Sequence, residues 1–124
     1  MNKNKPIILL DPYPRTMDLL FSKENLNYLK KNFKLITAPN KNKNNFYEKN
    51  LPSADYIFGQ PNLPSSLISK STKLKAIFNV ESNFMDNMDY DYCFKKGIHV
   101  LATSPVFAQP VAEMAIGLTL SIAR

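Results

Sequence analysis

The sequence holds no tryptophan, one cysteine, one histidine and only three glycines in 124 residues. Each shortage removes a class of function. One thiol, Cys93, cannot make an internal disulfide, so the chain is not a disulfide-stapled scaffold and suits a reducing cytosol. With a single histidine, no metal-ligand cluster and no Ser/His/Asp set can be read. Gly59, Gly97 and Gly117 stand far apart, so neither G-x-G-x-x-G nor a phosphate loop is present. Long apolar runs are scarce as well. A basic start is followed by only four apolar residues, 7–10, before Asp11, too few for a signal core or a membrane span. The apolar stretch at the other end carries Glu113 and reads as too short for a clear span. These features lead us to expect a soluble, cytoplasmic protein with no membrane partner.

What is present is ordinary globular composition, 44% hydrophobic and 21% charged, on a chain long enough for one domain with a real core. The net charge of +6 is unevenly spread. Residues 1–50 hold ten Lys/Arg against four Asp/Glu, whereas residues 51–124 hold six against six. No base-stacking platform or recognition helix accompanies the basic half, so it reads as a solvated surface with no nucleic-acid partner.

Short apolar runs closed by turn residues mark five strands, at 7–10, 35–37, 55–58, 74–80 and 98–102. Helical spacing marks residues 17–33, where Leu26, Leu29 and Phe33 share a face, then 65–71 and 89–96, with Gly97 as a C-cap. Residues 40–50 are polar and lysine-rich and read as an exposed loop or frayed helix. Pro110 suits a first helical turn, so the last helix is expected to run from about there to Arg124. Strands alternating with helices predict an α/β fold with a parallel sheet covered on both faces and its working loops at the carboxyl ends of the strands.

The last helix is apolar on two sides: Val111, Met114, Ala115, Leu118 and Ile122 on one, and Ile116, Leu120 and Ala123 on another. A helix apolar nearly all round needs burial nearly all round. A single sheet layer does not supply that, and no C-cap follows at Arg124. The expectation is a helix lying between this domain and another, although docking flat on its own sheet stays open.

Residues 74–124 carry a resemblance. Leu74-Lys75-Ala76-Ile77, Asp86-Asn87-Met88-Asp89, Lys96-Gly97-Ile98-His99-Val100, Ser104-Pro105 and Val111-Ala112-Glu113 resemble, in order and spacing, the signatures of the D-isomer-specific 2-hydroxyacid dehydrogenases. The resemblance implies a flavodoxin-like five-stranded substrate domain over residues 1–108. It also implies an interdomain helix over 109–124, leading to a Rossmann NAD-binding domain that this chain lacks. The intact protein would be a homodimer that uses NAD or NADP to move a hydride at C2 of a small 2-hydroxy or 2-oxo acid. The Arg, Glu and His that do the chemistry in that family come later than residue 124, so no catalytic residue and no metal ligand is expected here, and the chain alone should be inactive.

The resemblance places the substrate loop at Glu81, Ser82, Asn83 and Phe84, after the fourth strand. Family members hold the substrate carboxylate there on backbone N–H groups, which suit an anion because they add no mobile side chain. This chain departs from the pattern: Glu81 and Ser82 stand where glycine is common, and the loop is one residue longer. A carboxylate facing inward would repel a carboxylate substrate. So either Glu81 points away or the substrate differs. Asn83 is the best polar candidate.

The segment from Phe107 to Val111 precedes and opens the last helix, and the resemblance implies that it approaches the nicotinamide end of the cofactor and the substrate. His99, at the start of a strand, and Cys93, beside Tyr90 and Phe94, read as structural. Glu113 matches the family's V-A-E glutamate and also fits a carboxylate in a first helical turn. Tyr13, past the first strand, lines the same cleft or packs. One alternative from another class stands beside this reading, a stand-alone flavodoxin-like signalling or ligand-binding module. It is weakened because Asp11 lacks acidic company.

Overall fold

The computed structural model describes residues 5–81 and 83–123. Ser82, one of the expected substrate-loop residues, lies outside them. Five strands form one parallel sheet: β1 (Ile7–Asp11), β2 (Lys34–Thr37), β3 (Tyr56–Gly59), β4 (Ala76–Phe78) and β5 (His99–Leu101). Their order is β2-β1-β3-β4-β5, the flavodoxin-like order, and every neighbouring pair is parallel. Helices α1 (Met17–Leu20), α2 (Lys23–Asn32), α3 (Lys43–Asn50), α4 (Ser65–Ile68), α5 (Tyr90–Lys95) and α6 (Ser104–Ile122) complete the chain.

The strand register explains the two layers. Ile36, Leu9, Ile57, Ile77 and Val100 are direct cross-strand partners, so they make one apolar row across all five strands. That row joins Tyr47, Leu51, Leu63, Leu67, Ile68, Met88 and Cys93, from α3 to α5 and their connections, in the main core. The opposite face is aromatic. Phe58 stacks on Phe78 at 4.7 Å between centroids, and Phe21 meets Phe58 edge-on at 5.4 Å. Phe33 at the end of α2 meets Tyr56 edge-on. Helices therefore flank both faces, as the alternation of elements predicts.

Three elements differ from the sequence reading. Residues 17–33 are two helices, because Ser22 caps a new one by accepting the Asn25 N–H at 3.2 Å. The segment 40–50, open between a loop and a frayed helix, is largely an ordered helix. It contains α3, which fastens to the sheet through Tyr47, fully buried among polar neighbours that mask the periodicity. With α3 in place, a helix lies between every pair of consecutive strands. The last helix begins at Ser104, six residues before Pro110, and Pro105 takes the first-turn position instead. Pro110 sits inside α6, and the expected domain boundary at 108/109 falls within that helix.

The Asp86-Asn87-Met88-Asp89 signature has a structural task. Asn87 donates through Nδ2 to the Pro61 carbonyl at 2.8 Å, Leu63 N–H donates to the Asn87 carbonyl at 2.8 Å, and Asp89 N–H donates to the Leu63 carbonyl at 3.2 Å. Met88 thereby pairs with Leu63 and is buried, while the Asp89 side chain caps α5 by accepting the Tyr92 N–H at 2.9 Å. The motif clasps the segments after β3 and β4 together at the carboxyl end of the sheet.

Cys93 is 0% exposed, and burial, then the Asp89 charge, raises its thiol above the ordinary range. The expected result is no reaction of the folded chain with a thiol reagent at pH 8, and one equivalent of reaction in denaturant. Rapid labelling of the folded chain would refute this placement.

Candidate substrate cleft

The order β2-β1-β3 makes the carboxyl ends of β1 and β3 a switch point, where the chain leaves the sheet in opposite directions. A cleft of about 830 Å³ opens there, lined by Tyr13, Pro14 and Arg15 after β1, Gln60 after β3, and Glu81, Asn83 and Met85 after β4. Another cavity, of about 760 Å³, lies at the amino ends of the strands and is lined by Lys5, Lys34, Lys73, Lys75 and Asp55 among others.

Gln60 builds the floor of the cleft. Its Oε1 accepts the Glu81 N–H at 2.8 Å and its Nε2 donates to the Asn83 carbonyl at 3.3 Å. One side-chain amide thus brackets the loop as a further rung beyond the sheet edge would. Tyr90 adds a second tether by donating its hydroxyl to the Met85 carbonyl.

Glu81 meets a residue that the sequence analysis did not single out. Arg15 Nε donates to Glu81 Oε1 at 2.9 Å, and Nη2 donates to Oε2 at 3.3 Å, a bidentate pair. The Glu81 carboxylate is therefore paired with Arg15 at the cleft. The same contact, first through the hydrogen bond and then through charge, raises the Arg15 guanidinium further above its ordinary value.

Asp11 closes the inner end of β1. It is 3% exposed and takes the Lys43 ammonium on Oδ1 at 2.6 Å and the Tyr47 hydroxyl on Oδ2 at 3.0 Å. Lys43 lies over the Tyr13 ring, 5.1 Å from its centroid. The wall residue Tyr13 is thus linked through Lys43 to a buried carboxylate.

Of the expected substrate-loop residues, Glu81 and Asn83 line the cleft. Phe84 turns aside and packs edge-on against Tyr90 at 5.4 Å. Phe107 lies within α6 and not ahead of it, because the helix starts at Ser104, while Val111 is on the helix as expected; they are 51% and 63% exposed. Glu113 is likewise in mid-helix, where its carboxylate accepts from Gln109 Nε2 at 2.9 Å, so a first-turn role is ruled out. No described residue of α6 is buried. Starting at Ser104 gives the helix 19 residues, long and apolar enough to cross a membrane by length and composition alone, which corrects the shorter span read from sequence. His99 is exposed in the first position of β5, at the far end of the sheet from the cleft. Among the described residues no group of three His, Cys, Asp or Glu could hold a metal.

Known structures share this architecture. A phosphoglycerate oxidoreductase from Rhizobium etli aligns with 97% of this chain at 39% identity and a TM-score of 0.79. A 3-phosphoglycerate dehydrogenase from Entamoeba histolytica, solved with NAD+, aligns with 93% at 20% identity and 0.68. A 2-hydroxyacid dehydrogenase from Ketogulonicigenium vulgare aligns with 95% at 19% identity and 0.64. The last two show the fold alone. This chain spans 37%, 38% and 35% of those three chains. No curated protein matches it. The model of the D-isomer specific 2-hydroxyacid dehydrogenase catalytic domain matches residues 15–121. The chain therefore belongs to the D-isomer specific 2-hydroxyacid dehydrogenase family, as a domain of its catalytic type.

Proposed function

We propose that this chain supplies the substrate cleft of an NAD- or NADP-dependent oxidoreductase acting on the CH–OH group of a D-2-hydroxy acid, or on the matching 2-oxo acid. The match of residues 15–121 to the family's catalytic domain carries this reading. Two features support it. The cleft stands at the switch point, where open α/β sheets take their ligands. Its polar lining comes from three strand ends and is held by backbone-directed bonds from Gln60, so it is pre-organised for a small acid. Glu81 and Asn83 belong to that lining. The same match disfavours a stand-alone signalling module.

The residues of this chain do not by themselves fit a dinucleotide. Phe107 and Val111 offer apolar contact but no polar atom for a pyrophosphate, and Gly59, Gly97 and Gly117 cannot form a glycine-rich turn. We assign them only a face toward the nicotinamide, with α6 as the helix between this domain and a nucleotide-binding one. Two such neighbours would cover both of its apolar sides. His99 is remote from the cleft, so the proton and hydride chemistry falls to residues other than these. The expected result is no NADH oxidation by the purified 124-residue chain with glyoxylate or hydroxypyruvate. Measurable turnover would refute the assignment of chemistry to residues outside it.

A further inference from the structure

Arg15 is the one cationic side chain among the described residues lining the cleft, and Glu81 the one anionic. They face each other across it, from the turn after β1 and the loop after β4, and both reach solvent: the Arg15 side chain is 53% exposed and that of Glu81 28%. An ion pair so open is weak, because water screens it and two long side chains must be held still. Arginine has five N–H donors, and Glu81 engages two nitrogens here, so the Nη1 face bonds to no described residue. The Arg15 backbone is fixed by its own N–H bond to the Pro12 carbonyl at 2.7 Å, which holds the side chain at the cleft. Lys43, which lies over the ring of the lining residue Tyr13, is committed to Asp11.

We propose that Arg15 is a specificity-determining residue for 2-hydroxy or 2-oxo acids that carry a second anionic group at the far end, carboxylate or phosphate, and that Glu81 competes with that group for the guanidinium. The inference rests on the cleft being the acid-binding site. A simple monocarboxylate meets a pair of zero net charge and gains little from it. An acid with two anionic groups, at least a dianion, meets the same guanidinium with a bidentate acceptor of its own and displaces an exposed, screened partner. Glu81 then sets a threshold: weak anions leave the pair closed, and strong bidentate ones open it.

Isotope-labelled full chain is titrated with D-lactate, D-malate and D-3-phosphoglycerate while the amide signals of residues 80–85 and the Arg15 Nε–H signal are followed by NMR. All three acids are expected to move the loop amides, but only the two with a second anionic group, the D-malate dianion and the more highly charged D-3-phosphoglycerate, the Arg15 signal. A shift with one dianion alone identifies the far group as carboxylate or phosphate. Arg15→Gln should weaken dianions about tenfold and leave D-lactate within about twofold, and Arg15→Lys should recover part of the loss. Glu81→Gln keeps a hydrogen-bond acceptor for Arg15 but removes the competing charge, so dianions should bind about threefold tighter or better. The opposite signs are the decisive readout. A purely structural clasp would make both substitutions weaken all three acids alike, and that overturns the proposal, as does equal loss of D-lactate with Arg15→Gln. Loop shifts with no dianion preference overturn it while leaving the acid-binding cleft intact. No shift with any acid overturns both.

Discussion

Gly59→Ala should destabilise the domain by about 3 kcal/mol or more, a loss on the order of 10 °C in melting temperature. Two independent causes add. Gly59 sits at φ +151°, where side chains are rarely accommodated. A Cβ there would lie 2.4 Å from the Asp11 carbonyl oxygen and 2.8 Å from the Asp11 Cβ. Asp11 and Gly59 are direct partners in the β1–β3 ladder, so backbone and not a flexible tip must yield. The movement would fall on Asp11 and on Gln60, hence on the cleft floor. The other two glycines supply the controls. Gly97 has φ +72° but open space around it, so Gly97→Ala should cost about 1 kcal/mol from conformation alone. Gly117 lies in α6 with open space, so Gly117→Ala should stabilise by a few tenths to about 1 kcal/mol. Denaturant midpoints ranked in that order test the assignment, and a neutral Gly59→Ala would contradict it.

That glycine also shows where the sequence was readable and where it was not. The strands stood out because each is a short apolar run bounded by turn residues, and Gly59-Gln60-Pro61 marked the end of β3. The family signatures were legible because they sit close together in sequence and serve local tasks, such as the clasp made by Asn87, Met88 and Asp89. Helix α3 could not be told from a loop because its hold on the sheet rests on Phe46 and Tyr47 amid Lys and Asn, leaving no apolar stripe. The start of α6 was misread because two prolines compete for the first turn and Pro105, not Pro110, takes it. The cleft was half visible. Glu81 and Asn83 follow a strand and could be nominated from it. Arg15 and Gln60 could not, since they are 66 and 21 residues from Glu81 and meet it only because β1, β3 and β4 lie side by side. The signal that could have found them is the strand order itself: in a sheet ordered 2-1-3-4-5 the loops after β1 and β3 face one crevice.

The largest electrostatic effect should come from Asp11. Its carboxylate is buried and accepts from both Lys43 and Tyr47, so Asp11→Asn replaces one acceptor by a donor that faces the same hydrogen-bond donors. Lys43 is 31% exposed and can turn to water, but the Tyr47 hydroxyl cannot. We expect a loss of about 3 kcal/mol for Asp11→Asn against about 1 kcal/mol for Tyr47→Phe, which removes the buried donor together with its need. The two variants also separate in alkali. Burial first, then the charge of Asp11 and the hydrogen bond to it, push the Tyr47 hydroxyl well above its ordinary value. A tyrosine whose folded pKa exceeds its unfolded one contributes stability that is complete below about pH 10 and declines as pH rises further, because the unfolded chain releases the proton first. The slope attributable to this one group is about 1.4 kcal/mol per pH unit. Stability of the natural chain and of Tyr47→Phe, compared by urea unfolding between pH 8 and 11, should therefore converge as pH rises. Asp11→Asn should keep most of that alkaline slope, since burial is the larger cause and survives the substitution. Parallel curves for the natural chain and Tyr47→Phe would show that the hydroxyl is not held buried against Asp11, and would remove the anchor that ties Lys43 and Tyr13 to the wall of the cleft.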